Sequence, residues 1–234
     1  MNFNGSAALS EAAAELIITT ANEAIGCRGR FTVALSGGSV IPIIAAGLLK
    51  RLNQTDTARW HIFWADERCV EPTSSESNFA SANLQLLRHL NTPAGQIYPI
   101  EGTLEPAQAA RQYRELLEKV FQPSQGEMPR FDLVVLGIGP DGHTASLFPN
   151  HPLLSETALW AAPIYDSPKP PPRRVTLTIP VINNAAVIAF IASGHDKKDV
   201  IQAVLDPKKA FLRLPAQLIS PARGRLRWLT DCLD

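Results

Sequence analysis

Four short apolar runs, separated by segments with helical periodicity, constrain the fold of this 234-residue chain more than any other feature. Each run is almost continuously apolar rather than alternating, which is typical of parallel strands that are covered on both faces. The runs are FTVAL at 31–35, WHIFWA at 60–65, DLVVLGI at 132–138 and VIAFIA at 187–192.

Helical patterns precede, separate and follow these runs. They cover residues 9–25, 42–52, 78–90, 105–121 and 195–205. Strands that alternate with helices predict βαβ units with right-handed crossovers. We therefore expect an α/β fold with a mostly parallel sheet, helices on both of its faces, and a Rossmann-like layered architecture.

Three segments lie outside this alternation. RVTLTIP at 174–180 alternates more cleanly and predicts an added antiparallel strand, while RLRWLT at 225–230 predicts a closing or edge strand. The proline cluster at 166–174, DSPKPPPRR, indicates a stiff surface loop. No tract is long enough to be a domain linker, so we expect a single domain over residues 1–234.

Charge and cysteine usage exclude several classes of protein. Lys plus Arg and Asp plus Glu both number 22, so no global positive field is available to bind nucleic acid or an anionic membrane. No run of about 18 apolar residues predicts a membrane span. The cysteines Cys27, Cys69 and Cys232 are widely spaced, which indicates reduced thiols and a cytoplasmic protein. No metal-ligand spacing occurs, and we expect neither a metal nor a cofactor.

Each apolar run is followed by a polar or glycine-rich cluster. In open α/β sheets, ligands bind at the carboxyl ends of the strands, so these clusters are expected to share one cleft. They are Ser36-Gly37-Gly38-Ser39, Asp66-Glu67-Arg68, residues 137–143 and residues 194–198.

The first cluster has the features of a phosphate-binding turn. Gly37 and Gly38 permit unusual backbone angles, and the helix that follows directs its positive end at a ligand. A tight turn that binds nothing is the alternative. The pattern is not a Walker A loop. GIGPDG at 137–142 fits GxGxxG, which would indicate a nucleotide-binding oxidoreductase, but no acidic residue ends a following strand about 20 residues on.

His143 is the best candidate for a general base. Its side-chain type titrates near neutrality, as attack by water on an ester-like carbonyl requires, and Asp141 could orient its ring. The alternative is a structural histidine. Arg68 could bind a phosphate or form a surface ion pair. Lys197 begins a helix, where either a bound anion or solvent would compensate its charge.

Five segments resemble 6-phosphogluconolactonases of the glucosamine-6-phosphate isomerase superfamily. DGHTASLFP is the most specific part of the match. The matching segments cover residues 35–48, 64–87, 131–149, 170–178 and 193–201. The resemblance implies hydrolysis of a phosphorylated sugar lactone without a cofactor. The sequence leaves the oligomeric state open, and a monomer is the favoured expectation.

The resemblance also implies roles for individual residues. Asp141 and His143 would be the catalytic pair, and Ser77-Asn78 would cap a helix. Arg174 matches the arginine that follows the proline cluster in the family. The implied substrate-binding residues are Ser36, Gly37, Gly38, Ser39, Asp66, Arg68, Arg174 and Lys197.

Two other functions stay open at this point. The deaminase branch of the superfamily typically carries DEY and DGHIAFNEP, where this chain has Asp66-Glu67-Arg68 and, at the glutamate position, Phe148. The second alternative is a non-catalytic sugar-phosphate binding module, which would not need His143. One departure from the family is Val40-Ile41 in place of Thr-Pro, which changes the residues at the start of the following helix.

Overall fold

The computed structural model describes residues 1–233, without the side chains of 210–212, and is built around a six-stranded parallel sheet. Asp234, the last residue of the predicted domain, lies outside the described residues. Numbered in chain order, the strands of this sheet are β1 (Phe31–Leu35), β2 (Trp60–Trp64), β4 (Ile97–Tyr98), β5 (Leu133–Leu136), β8 (Val187–Ala192) and β9 (Arg225–Thr230).

The order of the strands is that of a Rossmann-like sheet. From edge to edge it runs β4-β2-β1-β5-β8-β9, and every neighbouring pair is parallel. After β4 the chain crosses to the other side of β1 and continues with β5, so the order of the strands reverses between β1 and β5. This reversal leaves a crevice at the carboxyl ends of these two strands. Every residue of β1, β5 and β8 is buried, as the continuous apolar runs predicted.

Six α-helices accompany the sheet in the described residues. They are α1 (Gly5–Arg28), α2 (Val40–Leu48), α3 (Asn78–Gln85), α4 (Pro106–Phe121), α5 (Ile179–Asn183) and α6 (Lys198–Leu205). Helices α1 and α2 approach so closely that a Cβ at Gly47 would lie 2.1 Å from the Ser10 carbonyl oxygen. Among the described residues, no helix combines the length and apolarity that crossing a membrane requires.

A second sheet has three antiparallel strands, β3 (Asp66–Arg68), β7 (Arg174–Leu177) and β6 (Ala161–Ile164), in the order β3-β7-β6. The antiparallel strand predicted at 174–180 is confirmed as β7. Asp66-Glu67-Arg68, in contrast, was expected as a cluster after a strand and is itself a strand. Its register aligns Arg68 with Arg174.

Several predicted boundaries were too long. The helix expected at 42–52 ends at Leu48, and the helix expected at 78–90 ends at Gln85, each followed by a short 3-10 turn. Strand β5 ends before Gly137 rather than at residue 138. Strand β7 stops at Leu177, because Pro180 cannot donate to a strand ladder and lies in the first turn of α5.

Candidate active site

A cleft opens at the carboxyl ends of β1 and β5, where the strand order reverses. It brings together both glycine-rich turns, strand β3 and strand β7. Its lining consists of Ser36, Gly37, Gly38, Ser39, Val40, Asp66, Arg68, Asn78, Gly137, Ile138, Gly139, His143, Ala145 and Arg174. Of the ten residues predicted for the site, the structure places eight on this surface, and the other two, Asp141 and Lys197, lie beside it.

The glycine turn after β1 needs its glycines for two different reasons. A Cβ at Gly37 would lie 1.8 Å from Asn78 Oδ1, so no larger residue fits there. Gly38 has a φ of +63°, which favours glycine. Helix α2 begins at Val40, directly after Ser39, so its positive end faces the cleft despite the departure at Val40-Ile41. This geometry is that of an anion-binding turn.

Two buried polar atoms of cleft-lining residues lack a hydrogen-bond partner among the described residues. They are Ser36 Oγ and Arg68 Nε. A buried polar group without a partner costs roughly 1–3 kcal/mol, so such atoms are commonly satisfied by a ligand. The Arg68 side chain does donate from Nη1 to the Glu76 carbonyl oxygen at 2.7 Å, and this bond fixes the direction of its guanidinium group.

The turn after β5 holds His143 against Asp141. The Gly139 amide donates to the His143 carbonyl oxygen at 2.9 Å, and the Gly142 amide donates to the Gly139 carbonyl oxygen at 2.9 Å. A Cβ at Gly139 would lie 2.0 Å from His143 Cε1, so glycine lets the imidazole fold back over the turn. In that position Nδ1 of His143 forms a short contact with Asp141 Oδ1.

The pair has the protonation states that a general base requires. Burial lowers the pKa of His143 most strongly, and it outweighs the opposite effect of Asp141. For Asp141, burial raises the pKa, but the hydrogen bond from His143 and the nearby positive charges hold the pKa below its ordinary value. Asp141 is thus ionised and accepts from Nδ1–H, which leaves the lone pair of His143 on Nε2.

Arg174 belongs to a buried polar network. Its Nη1 donates to Ser146 Oγ at 3.3 Å, and Ser146 Oγ donates to Asp66 Oδ2 at 2.7 Å. Only 3% of Arg174 and 4% of Asp66 is exposed, so both charges depend on these partners. Three further bonds join Arg174 to carbonyl oxygens of residues 169–171. Most of its donors are therefore used within the protein.

Sequence reasoning missed Lys169, which lies in the proline cluster predicted to be a surface loop. The Lys169 ammonium lies 3.5 Å from Asp141 Oδ1 and 3.3 Å from His143 Nδ1. The loop therefore contributes to the site as well as covering the surface. The only signal in the sequence was its proximity to Arg174.

Glu67 connects β3 to the start of α3. Its buried carboxylate accepts from the amides of Arg68 and Asn78, both at 2.7 Å, and from Phe79 at 2.8 Å. Ser77 Oγ donates to the same group and accepts from the Ala80 amide, so the predicted helix cap is confirmed. Burial nevertheless raises the pKa of Glu67.

Lys197 lies next to the glycine turn rather than in the cleft lining. Its Nζ donates to Ser39 Oγ at 3.3 Å and to the Ser193 carbonyl oxygen at 3.0 Å. A 3-10 turn covers His195–Lys197, and α6 starts at Lys198. Lys197 therefore brings a positive charge to the same turn that α2 makes electropositive.

Phe148 occupies the position where the deaminase motif has a glutamate. It is 2% exposed, and its ring centroid lies 4.9 Å from that of His143. The Arg174 guanidinium lies over the same ring at 5.6 Å. The wall beside the histidine is consequently apolar. In the part of the chain that the structure describes, no group of three or more His, Cys, Asp or Glu side chains could hold a metal ion.

Comparisons with known proteins identify the family. Residues 4–228 match the family model described as glucosamine-6-phosphate isomerases/6-phosphogluconolactonase. A 6-phosphogluconolactonase from Homo sapiens is 41% identical over 233 residues, which cover 98% of this chain and 89% of the human protein.

Solved structures give the same result at the level of the fold. A 6-phosphogluconolactonase from Trypanosoma brucei superimposes with a TM-score of 0.81 at 26% identity, covering 98% of this chain and 94% of that chain. A monomeric glucosamine-6-phosphate deaminase gives a TM-score of 0.79 at 17% identity, covering 98% and 96%. Both branches share the fold, so the site must discriminate them. The chain belongs to the glucosamine-6-phosphate isomerase/6-phosphogluconolactonase family.

Proposed function

We propose that the chain hydrolyses 6-phospho-D-glucono-1,5-lactone to 6-phospho-D-gluconate, a step of the oxidative pentose phosphate pathway, with His143 as general base. One observation carries this proposal. The Asp141–His143 pair and the anion-binding turn at 36–39 flank one cleft. A base within reach of a bound phosphate compound suits hydrolysis of a phosphorylated ester or lactone.

The reaction follows from the protonation states of the pair. A water oxygen attacks the lactone carbonyl carbon as Nε2 of His143 takes its proton, which gives a tetrahedral intermediate. The bond between the carbonyl carbon and the ring oxygen then breaks, and Nε2 returns the proton to that oxygen. Asp141 holds the ring and stabilises the imidazolium that forms between the two steps.

The cleft offers separate groups for the two anionic parts of the reaction. The amides of the 36–39 turn, the start of α2 and Lys197 are suited to the substrate phosphate. Arg68 has an unpartnered Nε and is the candidate for the charge that develops on the lactone oxygen. A preorganised donor of this kind contributes roughly 3–4 kcal/mol to transition-state stabilisation.

The rival reaction on glucosamine 6-phosphate is disfavoured by Phe148. Opening and isomerising an amino sugar needs a further proton carrier, which the deaminase motif supplies as a glutamate. Here the buried Phe148 ring packs on His143 instead. The lactone needs only an activated water and charge stabilisation, and the site contains candidates for both.

We also propose that the chain acts as a cytoplasmic monomer with a single domain over residues 1–234. Most of the buried apolar residues form one cluster to which both the first and the last strands of the parallel sheet contribute. Cys27, Cys69 and Cys232 are all free thiols, which suits a reducing compartment.

The first test is the hydrolysis of freshly generated lactone, measured against its spontaneous rate, beside an assay for ammonia release from glucosamine 6-phosphate. His143→Ala should lower kcat by roughly 10²–10⁴-fold without loss of folding, because it removes the general base. His89→Ala, which changes an exposed histidine outside the cleft, is the matched control and should keep wild-type activity.

The results discriminate the three functions. Lactone hydrolysis that depends on His143 supports the proposal. Ammonia release would indicate the deaminase reaction, and binding without turnover of either substrate would indicate the non-catalytic module.

A further inference from the structure

We propose that Lys169 is a positioning residue, whose ammonium group keeps His143 neutral and Asp141 ionised between turnovers. The inference rests on the proposed function, since it concerns the same base. It assigns a role to a residue of the proline cluster that neither the motifs nor the comparisons single out.

The contact geometry defines what the ammonium group can do. Lys169 Nζ lies 3.5 Å from Asp141 Oδ1 and 3.3 Å from His143 Nδ1. Lysine has donors only, and Nδ1–H of His143 is also a donor, so the 3.3 Å contact cannot be a hydrogen bond when Asp141 accepts from Nδ1. The contact is favourable towards the aspartate and unfavourable towards a protonated imidazole.

The backbone fixes Lys169 in this place independently of its side chain. Arg174 Nη2 donates to the Lys169 carbonyl oxygen at 2.9 Å. Ser167 Oγ donates to the same oxygen at 2.8 Å and accepts from the Lys169 amide at 3.2 Å. Since Arg174 is buried and bonded to Ser146, the loop is tied to the core of the antiparallel sheet. Changing the lysine side chain should therefore leave the loop in place.

Charged groups approach His143 from several elements, and they act in opposite directions. Asp141 from its own turn and Asp66 from β3 raise the pKa of His143, whereas burial and Lys169 lower it. Arg68 and Arg174, from β3 and β7, line the same cleft. In this set, Lys169 Nζ lies 3.3 Å from His143 Nδ1 and lowers the pKa of His143, so removing it should favour the protonated form.

The same charge serves both halves of the catalytic cycle. Before attack, it keeps His143 unprotonated and able to accept a proton from water. After attack, the imidazolium lies beside a second cation, which makes it a stronger acid and promotes transfer of the proton to the departing ring oxygen. Asp141 alone would stabilise the imidazolium and slow that transfer.

The test compares three variants. Lys169→Met removes the charge, and Lys169→Arg keeps it. Lys50→Met removes the charge of an exposed lysine two residues after α2 and is the matched control. Two quantities are measured: the pH profile of kcat/KM and the titration of His143 by NMR. Thermal unfolding verifies that each variant is folded.

In Lys169→Met we expect His143 to titrate at higher pH and the acid limb of the profile to follow it. The ratio of activity at about pH 6 to that at about pH 8 should fall roughly threefold, a modest change because the side chain is partly solvated. Lys169→Arg and Lys50→Met should match the wild type. An unchanged His143 titration in Lys169→Met would overturn the proposal, even if activity fell at every pH.

The NMR titration also separates this inference from the proposed function. It needs no substrate, so it reports on the Lys169–His143 interaction even in a protein that does not hydrolyse the lactone. Inactivity of the wild type with a shifted titration would refute only the reaction. Activity with an unshifted titration would refute only the role of Lys169.

Discussion

The two sheets of the molecule differ in what they bury. The parallel sheet buries apolar side chains, among them Phe63 and Phe190, neither of which is exposed at all. The small antiparallel sheet buries Asp66, Glu67 and Arg174, each less than 5% exposed. Buried charges rarely stabilise a fold more than apolar residues would, but their hydrogen bonds hold neighbouring groups in defined orientations.

The difference indicates that the two sheets have different roles. The parallel sheet supplies the free energy of folding and places two turns side by side at its switch point. The antiparallel sheet forms one wall of the cleft, and its buried charges orient the groups that line it. Substitutions in the first sheet should therefore affect stability, while substitutions in the second should affect binding and catalysis as well.

The largest loss of stability is expected from Phe63→Ala in the parallel sheet. The Phe63 ring contacts Tyr98, Phe121 and Phe131 at centroid distances of 4.5–5.4 Å, so its removal leaves a cavity. We expect a loss of about 3–5 kcal/mol in the free energy of unfolding, measured in urea. The folded fraction should retain the wild-type KM. A raised KM with nearly unchanged stability would contradict the division between the sheets.

Glu67→Gln should have a smaller effect on stability and a clear effect on binding. The variant places an amide NH₂ among groups that donate to the carboxylate, including the Arg68 and Asn78 amides. We expect a loss of about 2–3 kcal/mol in the free energy of unfolding and a raised KM, because β3 would shift Arg68. A variant with wild-type KM would show that Glu67 matters only for folding.

The free energies of unfolding of the wild type and of Glu67→Gln should depend differently on pH, and the sign of this difference can be predicted. Burial raises the pKa of Glu67 in the folded protein above its value in the unfolded chain. Its contribution to stability is therefore present below the unfolded pKa and is lost as pH rises through the folded pKa. The wild type should exceed Glu67→Gln in stability by more at about pH 4 than at about pH 8. Urea unfolding at both pH values measures the difference.

The smallest effect on stability is expected from Ser146→Ala. This change removes the hydroxyl between Asp66 Oδ2 and Arg174 Nη1 and should cost about 1–2 kcal/mol in the free energy of unfolding. It should also raise KM, since both partners line the cleft. Ser10→Ala in α1 is the matched control, because Ser10 is a buried serine whose hydroxyl donates to the Ser6 carbonyl oxygen of the same helix. Equal KM values for the two variants would contradict the role of the network.

The sequence predicts the strands of the parallel sheet better than those of the antiparallel sheet. Continuous apolar runs identify β1, β2, β5 and β8, because full burial leaves an unambiguous pattern. Strand β4 has two residues and β6 has four, which is too short for a period to be recognised. The sequence predicts a polar cluster after a strand at Asp66–Arg68, because three charged residues do not resemble a strand. Only the pairing with β7 makes them one.

The candidate site shows a similar limit. His143, Asp141 and the glycine turn could be predicted because they follow strands of the parallel sheet in a specific motif. Lys169 could not, since its place beside His143 depends on how Arg174 and Ser167 fold the proline cluster back towards the cleft. The matching segment in the proline cluster begins at residue 170, one position after Lys169.

The close approach of Gly37 to Asn78 has a consequence for engineering the substrate range. Asn78 Nδ2 also donates to the Asp66 carbonyl oxygen at 2.8 Å, so Asn78 connects the glycine turn and β3 to α3. A side chain at position 37 would require a smaller residue at 78, which in turn would release Asp66. Libraries that vary the turn alone should yield inactive proteins, and a new anion preference would have to arise from coordinated changes at all three positions.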